Sequence, residues 1–155
     1  MIVVGSALSI WKTLSLSMNS EAPIVVVLTG SMEPGYYRGD ILLVTHWDEP
    51  LIPGDVVVYK LAGQEIPIVH RVSIVQEMRG GDAYILTKGD NNQVDDRALY
   101  QPGTMWLHKR DLMGKMRLYL PYMGMFTIWL NDYPMFKYAV LGLMTLFVLI
   151  AKDPQ

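Results

Sequence analysis

Ser31 stands in Leu28-Thr29-Gly30-Ser31-Met32-Glu33-Pro34, where a β-branched apolar run gives way to a turn. Glycine beside it lets the backbone turn sharply and lets another chain come close. A serine lifted out on such a turn could act as a nucleophile if a neighbouring base took its proton, because a free hydroxyl is a weak nucleophile at neutral pH. By itself Gly-Ser-Met reads as an ordinary turn or as a helix N-cap with Pro34 in the first turn. It is not the Gly-x-Ser-x-Gly elbow. His70 lies in the run Ile66 to Val75, whose alternation puts Ile66, Ile68, His70, Val72 and Ile74 on one face. An imidazole on an apolar face needs a polar partner. His46 and His108 sit among polar residues and read as solvated. Acids cluster in Gly89-Asp90-Asn91-Asn92-Gln93-Val94-Asp95-Asp96-Arg97. One of them could orient the histidine, fixing its tautomer and stabilising the imidazolium. As a plain turn the same segment would pair Asp96 with Arg97 or leave it solvated. Ser31, His70 and Asp96 together make the parts of a nucleophile, base and acid triad, in a chain order unlike those of the α/β-hydrolases, chymotrypsin and subtilisin. Whether Asp90, Asp95 or Asp96 faces His70 is open at this stage.

Other chemistries are poorly supplied. The chain of 155 residues has no cysteine, which excludes disulfides, thiol catalysis and cysteine-based metal sites. The acidic loop lacks the glycine and terminal glutamate of an EF-hand. Three histidines from three separate segments make an improbable metal site, so no metal and no cofactor is expected. A net charge of −2 carries no basic footprint, so no nucleic-acid partner is expected. With 51% apolar and 18% charged residues the chain is not disordered.

The elements that would position these residues are mainly β. Ile24 to Leu28 is one apolar run. Arg38-Gly39-Asp40 and Pro53-Gly54-Asp55 are turns leading into the runs Ile41 to Val44 and Val56 to Tyr59. Ile66 to Val75 follows, with Pro67 marking an edge or a bulge. Gly80-Gly81 is a hairpin turn into Tyr84 to Leu86, and Leu112 to Leu120 is a last strand weakened by Gly114. No long amphipathic helix interrupts this series, which argues against a βαβ fold. The hydrophobicity is concentrated at the ends. Residues 1–18 carry only Lys12 and would reach about 27 Å as a helix, just short of a bilayer core of about 30 Å. Residues 138–151 are uncharged and reach roughly 21 Å. A run that short is usually a buried core helix, but Lys137 and Lys152 bracket it as in a short membrane-embedded segment.

These residues carry a resemblance. The stretches Pro23 to Pro34, Tyr37-Arg38-Gly39-Asp40, Glu65 to Val72, Leu86 to Asn92 and Val94-Asp95-Asp96-Arg97 resemble the catalytic subunits of the eukaryotic signal peptidase complex, in the type I signal peptidase clan. Pro121-Tyr122, Asn131-Asp132-Tyr133-Pro134 and the hydrophobic tail match as well, so the likeness spans nearly the whole chain. It implies a twisted β-ribbon domain and a membrane-bound serine endopeptidase that removes signal peptides from proteins entering the endoplasmic reticulum. Ser31 matches the nucleophile, His70 the base (a lysine in bacterial relatives) and Asp96 the third member. Asp90 matches a second, supporting aspartate, and Thr29 a hydroxyl residue that assists the oxyanion hole. The resemblance also implies no cofactor, preproteins as substrates, further membrane subunits and the bilayer as partners, and a lumenal catalytic domain.

The expected organisation is an N-terminal membrane helix over 1–20, a lumenal peptidase domain over 21–134 and a short hydrophobic membrane-associated helix over 135–155. The family carries more chain before the region matching Met1, so the first helix is expected to be truncated here. A non-catalytic scaffold that holds signal helices is the competing reading. A Ser–Lys peptidase using Lys60 or Lys88 is a third.

Overall fold

The computed structural model describes residues 2–20, 22–46, 49–61, 63, 64, 66–78 and 81–151. A helix α1 (Ile2–Met18) precedes six strands, β1 (Ile24–Val26), β2 (Ile41–Thr45), β3 (Val56–Tyr59), β4 (Ile68–Glu77), β5 (Ala83–Lys88) and β6 (Leu112–Leu120). Two helices close the chain, α2 (Met125–Asp132) and α3 (Pro134–Ala151). The strands form one antiparallel sheet in the order β1-β2-β6-β3-β4-β5, so the last strand in sequence inserts between β2 and β3.

The run Val56-Val57-Val58-Tyr59 is apolar without alternation because β3 is buried on both faces. Val57 and Tyr59 join one core with Val72, Ile85, Leu107 and Leu112. Val58 joins the other with Val25, Val27, Leu42 and Val44. The turns before β2 and β3 use Gly39 at φ 96° and Gly54 at φ 100°, backbone conformations that disfavour a side chain. Asp40 then holds its own turn from the buried side, accepting the Tyr37 and Tyr122 N–H groups at 2.9 and 3.0 Å.

One expectation needs correction. The face of β4 does not run from Ile66 to Ile74. The strand begins at Ile68, and the register slips between Val72 and Ile74. A bulge rotates the residues beyond it, so Ile74 is exposed while His70 and Val72 are buried, and Ile66, outside the strand, is exposed as well. The mainly β segment before residue 134 also contains the short helix α2. Ile128 buries one point of that helix, and the Gly124 N–H donates to the Gly39 carbonyl at 2.8 Å. A Cβ at Gly124 would lie 2.7 Å from Val26 Cγ1, so glycine lets the helix start against β1. The hairpin turn into β5 is present, with Gly81 at φ 88°; Gly80 lies outside the described residues.

At the ends, α1 stops at Asn19 (φ 48°), whose side chain donates to the His46 carbonyl at 2.7 Å and ties the helix to the end of β2. Seventeen residues rise about 26 Å. No single described helix is long and apolar enough to cross a membrane, whereas α2 and α3 pass that test together across a 108° bend. Pro134 opens α3 at the first helical position, where its missing N–H costs nothing. Phe136 meets the rings of Phe126 and Trp129 at 6.0 and 6.2 Å, packing α3 on α2. The core-helix alternative for the tail fails, because Leu141, Leu143, Met144 and Leu146 to Ile150 are all exposed.

Gly114 sits mid-strand in β6, where a Cβ would lie 2.6 Å from the Thr45 carbonyl oxygen and 2.7 Å from Val44 Cγ1. Overpacking a ladder of this kind costs about 1–3 kcal/mol. Gly114→Ala should therefore lower the thermal unfolding midpoint, whereas Gly142→Ala, with nothing within 4 Å, should not.

Candidate active site

Ser31 occupies a 3-10 turn, Gly30–Met32, with three residues between it and the end of β1. Thr29 enters it in extended conformation, with Oγ1 3.2 Å from Ser31 Oγ. Met32 anchors the turn in the interior. The loop after β5 holds it from the other side. There the Asn91 N–H donates to the Ser31 carbonyl at 2.8 Å and Asn91 Nδ2 to the Gly30 carbonyl at 3.1 Å. A Cβ on Gly89 would come within 2.7 Å of the Ser31 carbonyl oxygen, so only glycine permits this approach.

His70 reaches the turn from β4, opposite Val57 of β3. Its Nε2 lies 3.1 Å from Ser31 Oγ, and its Nδ1 lies 2.6 Å from Asp96 Oδ2. The imidazole is 4% exposed and Asp96 1%. Tyr59 OH at 3.1 Å and Thr87 Oγ1 at 2.6 Å also donate to Asp96 Oδ2. Burial pushes the Asp96 carboxyl up. Hydrogen bonds from His70 and Thr87, the His70 charge and the Tyr59 hydroxyl together outweigh it and hold the group below the usual carboxylate range. Burial, together with the nearby Asp96 charge and against the Thr87 hydrogen bond, pushes the Tyr59 hydroxyl far up, so it stays a donor. An ionised carboxylate only accepts, so His70 carries its proton on Nδ1 and turns the Nε2 lone pair toward the Ser31 hydroxyl. The arrangement can accept a proton from Ser31 and stabilise the resulting imidazolium.

The sequence left three aspartates open for His70, and the geometry separates them. Asp95 caps its own turn, accepting the Arg97 N–H at 3.2 Å, and pairs with the Arg97 side chain at 3.3 Å. Asp90 is gripped at both oxygens by Arg71, at 2.9 and 2.7 Å, and Arg71 also donates to the Gly54 carbonyl at 2.9 Å. Asp90 therefore clamps the loop that holds Ser31 and does not touch His70. Arg97 belongs to Asp95, not to Asp96 as the plain-turn reading had it. His108 is not simply solvated, because Asp82 Oδ2 lies 3.0 Å from its Nδ1 and Tyr84 packs 5.3 Å away. His46 Nδ1 lies 3.1 Å from the Met113 carbonyl. Lys88 donates to the neighbouring Gly89 carbonyl at 3.2 Å, and Lys60 is exposed beyond β3, so neither supports a Ser–Lys pair. Among the described residues no group of three histidine or acidic side chains is arranged for a metal ion.

Sequence reasoning missed Tyr59, Thr87, Tyr100, Arg71 and Asn91. A signal existed for Thr87: it lies two residues after the core residue Ile85 on β5, and a hydroxyl on a buried face requires a partner. No comparable pattern singles out Asn91, whose partners are backbone atoms distant in sequence.

A serine hydroxyl, an imidazole and a buried carboxylate in line are groups that can support acyl transfer. Residues 6–115 match the family described as Peptidase S24-like, and residues 125–150 match the Signal peptidase C-terminal short helix. The chain is 54% identical over 153 residues to "Signal peptidase complex catalytic subunit SEC11C" of Homo sapiens, covering 98% of this chain and 80% of that protein. It is 46% identical over 148 residues to "Signal peptidase complex catalytic subunit SEC11" of Plasmodium falciparum, covering 96% and 80%. It is 47% identical over 153 residues to "Putative signal peptidase complex catalytic subunit SEC11B" of Homo sapiens, covering 98% and 92%. The chain belongs to the family of signal peptidase complex catalytic subunits.

Because the folded pKa of Asp96 is depressed, its ionised form stabilises the fold above the unfolded value of about 3.9, and this is lost as pH falls through the folded value. The difference in urea midpoint between the wild type and Asp96→Asn should shrink on acidification below about pH 5. A difference that does not change with pH would refute the assignment.

Proposed function

We propose that this protein is a membrane-bound serine endopeptidase that cleaves signal peptides. The observation that carries the reading is the contact line from Ser31 Oγ to His70 Nε2 at 3.1 Å and from His70 Nδ1 to Asp96 at 2.6 Å, in a chain of this family. Ser31 Oγ attacks the scissile carbonyl while its proton passes to His70 Nε2. The oxyanion that forms is met by the Ser31 backbone N–H and the Thr29 hydroxyl. His70 then returns the proton to the leaving amine, leaving an acyl-enzyme on Ser31. Water, deprotonated by His70, releases the acid and regenerates the hydroxyl. Asp96 keeps the imidazole oriented throughout, and Asp90 supports the site through Arg71.

The substrate needs an extended stretch beside Ser31. Val25 and Val27 turn their backbone groups toward β2, as the Val27 bonds to Asp40 and Gly39 mark. In an antiparallel edge the alternate residues Val26 and Leu28 therefore face outward. A peptide strand added there would run toward Ser31. Small side chains next to the cut would be selected by size, but one pocket discriminates a methylene by only about 1–3 kcal/mol. Depth in the membrane and the length of the apolar segment share the work.

The domain division follows: α1 as part of an N-terminal membrane helix within 1–20, a lumenal catalytic domain over 21–134, and α3 as the short membrane-associated helix within 135–155. The exposed apolar length of α3 and its bent junction with α2 favour a bilayer and further membrane subunits as its surroundings, at the endoplasmic reticulum. The twisted β-ribbon form of the peptidase domain belongs to the same reading.

Cleavage of a labelled preprotein by membranes containing this chain and its co-expressed subunits tests the proposal. The wild type should give one product cut after a small residue. Ser31→Ala and His70→Ala should each lose about 10⁴-fold or more in kcat while staying folded. Peptide binding without product in the wild type would instead identify a scaffold.

A further inference from the structure

Asp96 Oδ1 is buried and hydrogen-bonds to nothing among the described residues, so its neighbours converge on Oδ2 alone. The orientation of the carboxylate therefore depends on the donors at that one oxygen. Thr87 is the closest of the hydroxyls, at 2.6 Å. It is fully buried on β5, and it has company of its own. Tyr100 OH lies 2.9 Å from Thr87 Oγ1 and also 3.1 Å from the Thr87 backbone nitrogen.

Proton accounting gives these contacts a direction. The Thr87 hydroxyl has one proton, and the ionised carboxylate can only accept, so that proton goes to Asp96. Tyr59 OH, 3.3 Å from Thr87 Oγ1, is more distant and uncharged. Thr87 Oγ1 must then accept from the Tyr100 hydroxyl. The Tyr100 oxygen in turn accepts the Thr87 backbone N–H. The result is a chain in which each proton has one acceptor: Thr87 N–H to Tyr100, Tyr100 O–H to Thr87, Thr87 O–H to Asp96, and His70 Nδ1–H to the same oxygen. Tyr100 is itself held by the 3-10 turn that carries Asp96, its N–H donating to the Asp96 carbonyl at 3.3 Å. Strand β5 and the Asp96 turn are thus coupled through Thr87, by its hydroxyl and by its backbone N–H.

We infer that Thr87 is a positioning residue for the triad, its hydroxyl aimed by Tyr100 to fix the Asp96 carboxylate beneath His70. The inference rests on the catalytic reading of Ser31, His70 and Asp96. Loss of the hydroxyl removes one donor from a desolvated carboxylate. The Asp96–His70 pair then binds a proton more tightly, and the acid limb of the rate profile moves to higher pH.

The test is the pH dependence of kcat and KM for preprotein cleavage by the solubilised, subunit-bound chain. Thr87→Val keeps the volume and loses the hydroxyl, and Thr87→Ser keeps the hydroxyl. Thr87→Val should lose roughly ten- to a hundredfold in kcat, a part of the general-base contribution of about 10²–10⁴, with KM unchanged and the acid limb moved up. Thr87→Ser should restore most of the rate and the wild-type limb. Tyr100→Phe, which leaves the threonine in place, should move the limb the same way by less, and it decides the matter if Thr87→Val does not fold. Wild-type rate and limb in Thr87→Val, or in Tyr100→Phe when that variant decides, would overturn the inference. So would an equal loss in Thr87→Ser, since packing rather than the hydroxyl would then be responsible. Ser31→Ala run beside them separates the two failures. If it still cleaves, the catalytic reading falls; if it is inactive while Thr87→Val matches the wild type, only the role of Thr87 falls.

Discussion

A carboxylate that is 1% exposed must be satisfied where it lies, and much of this fold can be understood as the means of satisfying Asp96. Water cannot reach it, so protein donors have to. They come from three strands, Tyr59 from β3, His70 from β4 and Thr87 from β5, with Tyr100 behind Thr87. These strands are neighbours in the sheet and pair in one register, Val57 with His70 and Val72 with Thr87. A slip of one residue would carry these side chains to the opposite face. Ladder register and carboxylate satisfaction are therefore one constraint, and His70 inherits its tautomer from it.

Ser31 is held by a different device. Ser31 lies on a turn at the other side of the sheet order, after edge strand β1, and comes to His70 because the loop after β5 reaches across to it. Asn91 takes the two carbonyls of the turn, and Gly89 allows contact that a side chain would block. Arg71 fastens the same loop to β4 through Asp90 and to the turn before β3 through Gly54. His70 and Arg71 are consecutive residues of one strand facing opposite ways, His70 inward and Arg71 toward the rim. That is a direct use of the period of two in a β-strand.

The helices meet the sheet at its β1 edge. Gly124 seats α2 against Val26 and Gly39, and Arg38 pairs with Asp132 at 2.5 Å at the far end of that helix. The turn after β1 thus connects to α2 only a few residues from Ser31. The exposed apolar length of α3 leaves from the same end of the molecule through a single non-helical residue, Tyr133, and Pro134. Backbone contacts of Gly39 and Gly124 seat α2, and the ring contacts of Phe136 with Phe126 and Trp129 set how α3 leaves it.

Much of this was legible in the residues. Glycine–aspartate turns before apolar runs located β2 and β3, because a left-handed turn position and the residue that ties it are local requirements. The types Ser31, His70 and Asp96 named a chemistry, because few other side chains can play nucleophile, base and orienting acid together. What could not be read is whatever depends on register and distance. The bulge after Val72 ended the expected face of β4. The choice among Asp90, Asp95 and Asp96 turned on Arg71 and Arg97 claiming the first two. Helix α2 had too short an apolar pattern to stand out, and it forms where Gly124 lets it dock. Thr87, Tyr59 and Tyr100 carry no motif, since a hydroxyl becomes part of a site only when folding buries a charge beside it. Sequence alone determined the strand-forming runs, the turns and the kinds of group available for proton transfer, because these follow from local backbone geometry and side-chain chemistry. Tertiary structure alone decided which groups meet, because an antiparallel ladder sets contacts between residues far apart in the chain, and a buried carboxylate accepts only the donors that the ladder brings to it.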